Sequence, residues 1–130
     1  VVFSSAAVST PPHKLSVEEG IVITRVPPDI VQDVDYARAS LRAAIAACGG
    51  VRRPLLVDAR GARPLAPEVR HVYTGELLVS SFSAFAMLIA THAVARMMGN
   101  IYLRVARMAI PARLFTDEEA ARAWLRGFVP

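Results

Sequence analysis

The sequence predicts a single α/β domain built on a mixed, mostly parallel sheet, with elements in the order β-β-α-β-α-β-α-β-α. Three observations predict it. Short β-branched or wholly apolar runs recur at 21–26, 54–59 and 84–90, as buried strands require. Segments with helical spacing alternate with them, which implies right-handed crossovers between parallel neighbours. Glu18-Glu19-Gly20 is a turn signal that joins the first two strands as a hairpin.

In chain order, residues 1–12 read as an N-terminal tail ended by Pro11-Pro12, and residues 13–130 as one domain. His13 to Val17 is a short strand with Leu15 and Val17 on one face. Ile21 to Val26 is its β-branched partner, stopped by Pro27-Pro28. Asp33 caps a helix over 34–48, in which Val34, Ala37, Leu41, Ile45 and Cys48 form one apolar stripe. Gly49-Gly50 ends it. Leu55, Leu56 and Val57 lead to Asp58 and a basic loop, Arg60-Gly-Ala-Arg63-Pro64. Pro67 suits the first turn of the next helix, whose buried stripe is Val69, Val72, Tyr73 and Leu77. After the strand at 84–90, Thr91-His92 begins a third helix. Its apolar face is Val94, Met97, Met98, Ile101 and Val105. Its other face is a basic stripe, Arg96, Asn100 and Arg104. A strand at 112–115 precedes Thr116-Asp117-Glu118-Glu119, a capping-box pattern with Thr116 as the cap. Ala120, Ala121, Trp124, Leu125 and Phe128 then face the core.

Composition narrows the function classes. A chain of 130 residues that is 54% apolar and 20% charged buries a sizeable core. The net charge is +4, and every basic residue but Lys14 is arginine. That bias reflects either GC-rich bacterial codon usage or an anionic partner. The single cysteine, Cys48, rules out an internal disulfide and suits a reducing cytoplasm. Its place on a helical stripe marks a buried, inert thiol. Leu77 to Ala95 carries no formal charge, yet Ser80, Ser81, Ser83, Thr91 and His92 interrupt it, so no membrane insertion is expected.

No hydrolase, metalloprotease or phosphate-loop motif is present. His13, His71 and His92 lack ligand spacing, so no metal site and no cofactor are expected. Anions bind at helix N-termini on the C-terminal edge of parallel strands. If the strands bring the 58–64 loop beside Thr91, then Arg60, Arg63, Thr91 and His92 line one anion pocket. The plainer alternative is a Thr91 cap with solvated arginines. The stripe Arg96-Asn100-Arg104 is either a solvated helix face or a contact for an acidic protein partner or a second copy of the chain. No nucleic-acid motif accompanies the basic charge.

Leu-Val-Asp at 56–58, the Gly99-Asn100 pair and above all Ile110-Pro-Ala-Arg-Leu-Phe-Thr-Asp-Glu-Glu-Ala-Ala-Arg-Ala-Trp-Leu125 resemble the SpoIIAA-like branch of the STAS superfamily. The resemblance covers about residues 13–128. It implies a sheet of four or five strands with helices packed mainly on one side, in a non-enzymatic, cytoplasmic bacterial domain. It also implies a regulatory or protein-interaction module, dimeric in this reading. Relatives that act as anti-sigma factor antagonists carry a phosphorylatable serine just past the Asp-containing strand end. Here no Ser or Thr lies between Asp58 and Tyr73, so that switch does not transfer to this chain. The other functional expectation is a small anionic or lipid-like ligand held at the strand ends.

Overall fold

The computed structural model describes residues 13–93 and 107–130. Strands β1 (Lys14–Glu18) and β2 (Ile21–Arg25) form the expected hairpin, in register from Lys14↔Arg25 to Glu18↔Ile21. Only Glu19 and Gly20 separate them, with φ of 56° and 79°. Positive φ at both central residues is the pattern of the type I′ turn, whose twist matches that of the strands. Gly20 has a second reason to be glycine: a Cβ there would lie 2.6 Å from Val129 Cγ1.

From β2 onward the sheet is parallel. β2 pairs with β3 (Arg53–Asp58), β3 with β4 (Phe82–Leu88) and β4 with β5 (Ala112–Phe115). Spatial order follows chain order across all five strands. The sheet is covered on both faces, which is why β2, β3 and β4 read as continuous apolar runs rather than alternating ones. On one face Val22, Leu55 and Phe85 pack against helix α1 (Val34–Ala47), Leu78 and Ile110. On the other, Ile21, Ile23, Leu56, Ala84, Ala86 and Leu88 pack against Ala121 and Leu125 of helix α4 (Glu118–Arg126).

Helix α1 starts where expected: the Asp33 carboxylate accepts from the Tyr36 amide at 2.8 Å. Cys48, just past its end, is buried, and burial raises its thiol pKa. Several expectations need correcting. The helix expected from Pro67 through Leu77 breaks at Gly75, whose backbone is extended, giving α2 (Pro67–Thr74) and α3 (Glu76–Ser81). The break resets the helical phase. Leu78 turns inward at 1% exposure, while Leu77 is 53% exposed. The following strand begins at Phe82 rather than Ala84. Val17 is 45% exposed on its edge strand. Asp117, not Thr116, caps the last helix, accepting from the Ala120 amide at 2.9 Å, and Ala120 itself is exposed.

Thr91–Ala93 form a 3-10 turn. The basic stripe Arg96, Asn100 and Arg104 lies outside the described residues. The uncharged stretch that begins at Leu77 forms, up to Ala93, the rest of α3, β4 and this turn. Among the described residues no helix is long and apolar enough to cross a membrane.

Gly20 and Gly49 both have positive φ, but a Cβ on Gly49 would meet nothing within 4 Å. Gly49→Ala is therefore expected to destabilise by about 1 kcal/mol, the backbone cost alone. Gly20→Ala adds the collision with Val129 and is expected to cost at least about 1 kcal/mol more. Urea unfolding of the two variants checks the difference.

Candidate functional site

Asp58 ends β3 on the α4 face of the sheet and is the centre of an ion-pair lattice. Arg25, its register partner on β2, donates to Asp58 Oδ2 at 2.8 Å and grips both oxygens of Glu118 at 2.9 and 3.0 Å. Arg60 grips both Asp58 oxygens at 3.0 and 2.8 Å and approaches Glu118 at 3.4 Å. Glu118 also pairs with Arg122 at 2.9 Å, and Arg122 and Arg126 reach back to Glu18 and Glu19 in the β1–β2 turn. Burial alone would raise the Asp58 carboxyl, but hydrogen bonds from Arg60 and Arg25 outweigh it and hold the group below its ordinary value. The hydrogen bond from Arg25 dominates at Glu118, which is drawn down to about 2.

The opposite face holds a cavity of about 550 Å³ between the sheet, α1 and α2. Topology sets its walls. Because β3 and β4 are parallel neighbours, the segments that follow them, 59–66 and 89–93, emerge at the same edge. Leu55, Val57, Phe85 and Met87 form an apolar floor. Toward β1 and β2 the lining is polar: His13, Thr24, Gln32, Ser40 and Tyr73. The loop 59–65 and His92 line the rim at the strand C-terminal ends, where open α/β sheets place ligands.

The polar wall is organised around His13. Its Nδ1 lies 3.0 Å from Thr24 Oγ1, and its ring sits 5.3 Å from Tyr36 and 6.4 Å from Tyr73. Nε2 is buried and has no hydrogen-bond partner among the described residues. Burial lowers the His13 pKa to about 4, so the ring is neutral near pH 7. Tyr73 donates to Gln32 Oε1, and burial pushes its phenol up to about 12.

Of the four residues assigned to a strand-end site, Arg60, Arg63 and His92 line this cavity, while Thr91 is exposed and is not part of the lining. Arg60 differs from expectation, because its guanidinium is committed to Asp58 and Glu118. Arg63 and His92 are exposed at the rim. His13, Thr24, Ser40, Arg70 and Tyr73 were not legible as site residues. Tyr73 falls on a helix stripe in the sequence, and nothing in the spacing of His13 or Ser40 shows that the hairpin and α1 bring them together. Among the described residues, no three His, Cys, Asp or Glu side chains are grouped so as to hold a metal ion.

Two variants test this geometry. Asp58→Asn leaves Arg25 and Arg60 with a neutral amide and is expected to destabilise by about 1–3 kcal/mol, measured by denaturant unfolding. His13 carries a pH dependence of definite sign. Its folded pKa lies below the unfolded one, so between about pH 6.5 and 4 the unfolded chain takes up a proton that the folded chain refuses. Stability from this group is complete above about 6.5 and falls as pH drops toward 4, by up to about 1.4 kcal/mol per pH unit. Glu118 acts in a lower window: its contribution is present above the ordinary carboxylate range and is lost as pH falls toward 2. His13→Gln is expected to flatten the stability–pH curve between 6.5 and 4 and to leave the lower limb intact.

Comparison with known proteins places this architecture in one family. No curated protein and no solved structure matches the chain. The model of a domain of unknown function, DUF7793, matches residues 15–129, from β1 to the segment after α4. A match over nearly the whole chain, covering every strand and both faces of the sheet, makes this protein a member of the DUF7793 family.

Proposed function

We propose that this domain is a non-catalytic binding module for a small, mostly apolar molecule held in the cavity between the sheet and helices α1 and α2. The cavity itself is the observation that carries the reading. Its volume, about 550 Å³, is in the roughly 300–1,000 Å³ range of pockets that enclose drug-sized ligands. An apolar floor with a few polar groups on one wall is the usual make-up of such sites. His13, Thr24, Ser40 and Tyr73 give a bound molecule polar groups to face on that wall.

The lining supports binding more than catalysis. It holds no carboxylate and no cysteine among the described residues, and its inner histidine is neutral. Thr24 Oγ1 stands 3.0 Å from the His13 ring, but among the described residues no third group holds the far nitrogen of that ring, as a nucleophile–base pair requires.

A regulatory, STAS-like role in the bacterial cytoplasm remains compatible with this reading, with the ligand in place of a phosphate as the signal and a protein partner or a second copy as the receiver. Five strands are within the four or five which that resemblance implies. The basic stripe expected to meet a partner contributes no geometry, so the cavity is the firmer ground.

The test is a fluorescent apolar probe titrated into the 130-residue chain, together with Ala44→Phe. Ala44 is 3% exposed and lines the cavity, so the phenyl ring fills space the probe would take. The expected result is saturable binding to the parent, with affinity reduced about tenfold or more in the variant and the fold retained by circular dichroism. Equal binding by both chains, or none by the parent, sinks the proposal.

A further inference from the structure

The charge around the cavity is one-sided. Three arginines line it, and no aspartate or glutamate does among the described residues. The arginines differ in what already holds them. Arg60 is neutralised from the other face of the sheet by Asp58 and Glu118. Arg70 donates from Nη1 to the Leu65 carbonyl at 2.6 Å, while its Nε is buried without a hydrogen-bond partner. Among the described residues no carboxylate pairs with Arg70 or Arg63. Arg63 lies on the rim loop, and Arg70 stands one turn into α2, the helix that loop feeds. Arg63 and Arg70 therefore put positive charge without an opposing carboxylate along one side of the cavity.

We propose that the ligand is an amphipathic organic acid, with its carboxylate at Arg63 and Arg70 and its hydrocarbon body over Leu55, Val57, Phe85 and Met87. This rests on the cavity being a ligand site. A carboxylate is the complementary group, because arginine binds it through paired N–H donors and keeps its charge at any working pH. A cation would meet uncompensated like charge at the same edge. A neutral amide of the same skeleton keeps the apolar contacts and loses the charge-assisted bonds.

Decanoate, decanamide and decylamine separate the head group from the body. Binding of each to the intact chain is measured by calorimetry at low and at high salt, with Arg63→Glu in parallel. Arg63 is exposed, so the charge reversal leaves the folded core alone. The expected order for the parent is decanoate over decanamide by about tenfold, with decylamine weakest. Added salt is expected to shrink the decanoate advantage and to leave decanamide unchanged. In Arg63→Glu the preference for decanoate is lost, while decanamide stays within about twofold of the parent, a difference of well under 1 kcal/mol. If all three bind the parent equally, or if Arg63→Glu keeps the parent's order, the carboxylate assignment is wrong and the cavity reading stands. If none binds, both fall.

Discussion

The side chain of Asp58 is the interaction on which the other parts depend. It lies at the C-terminal end of a strand with a neighbour on each side, it is 9% exposed, and three separate segments converge on it. Arg25 brings β2, Arg60 brings the loop, and through Arg25 and Arg60 the first turn of α4 is drawn in by Glu118. Isolated surface ion pairs contribute little, because water already solvates the charges. This set differs in having bidentate geometry and a partly buried acid at its centre, which makes each pair harder to replace with solvent. The lattice then continues along α4 to the β1–β2 turn through Arg122 and Arg126. One face of the sheet is thereby closed by charge at the edges and by Ala121 and Leu125 in the middle.

Closure of that face has a consequence for the other. Arg60 begins a loop at the mouth of the cavity, but its charge is spent across the sheet. What remains on the cavity side is a different set of arginines, set apart by the absence of acids rather than by any feature of their own. The same separation appears in the two cores. The α4 face packs alanines at Ala84 and Ala86 against a helix, so helix and sheet come close. The α1 face carries the larger Phe82, Phe85 and Leu78, and the space between them and the loop is where the cavity opens.

The fold was legible in the sequence to the extent that local rules govern it. Asp33 as a cap, Gly20 in a positive-φ turn and the apolar runs of β2, β3 and β4 each reflect a constraint that acts within a few residues. The failures have equally physical causes. Gly75 reads as an ordinary helical residue until its extended backbone is seen, and a single break there exchanges the roles of Leu77 and Leu78. Asp117 displaces Thr116 as the cap because both residues satisfy the same local rule, and only the path from β5 into α4 selects between them. The site was legible as a location, since parallel pairing of β3 and β4 must bring their exit loops together. Its inner wall was not. His13 and Ser40 are 27 positions apart and share no pattern. Only the antiparallel return of β1 and the packing of α1 across β1 and β2 bring them to the same surface.

The cavity opens to solvent at its rim, where the loop 59–65 and His92 line it, so water or a ligand can enter. Water suits the wall of His13, Thr24, Ser40 and Tyr73, but it gains little against Leu55, Val57, Phe85 and Met87. A molecule with an apolar body satisfies the floor that water leaves poorly solvated, and its polar end faces the polar groups of the wall or rim. On this argument the cavity's mixed lining is better matched by an amphipathic ligand than by solvent. Occupancy would then contribute to the stability of the fold as well as to its function, in proportion to ligand concentration over its dissociation constant.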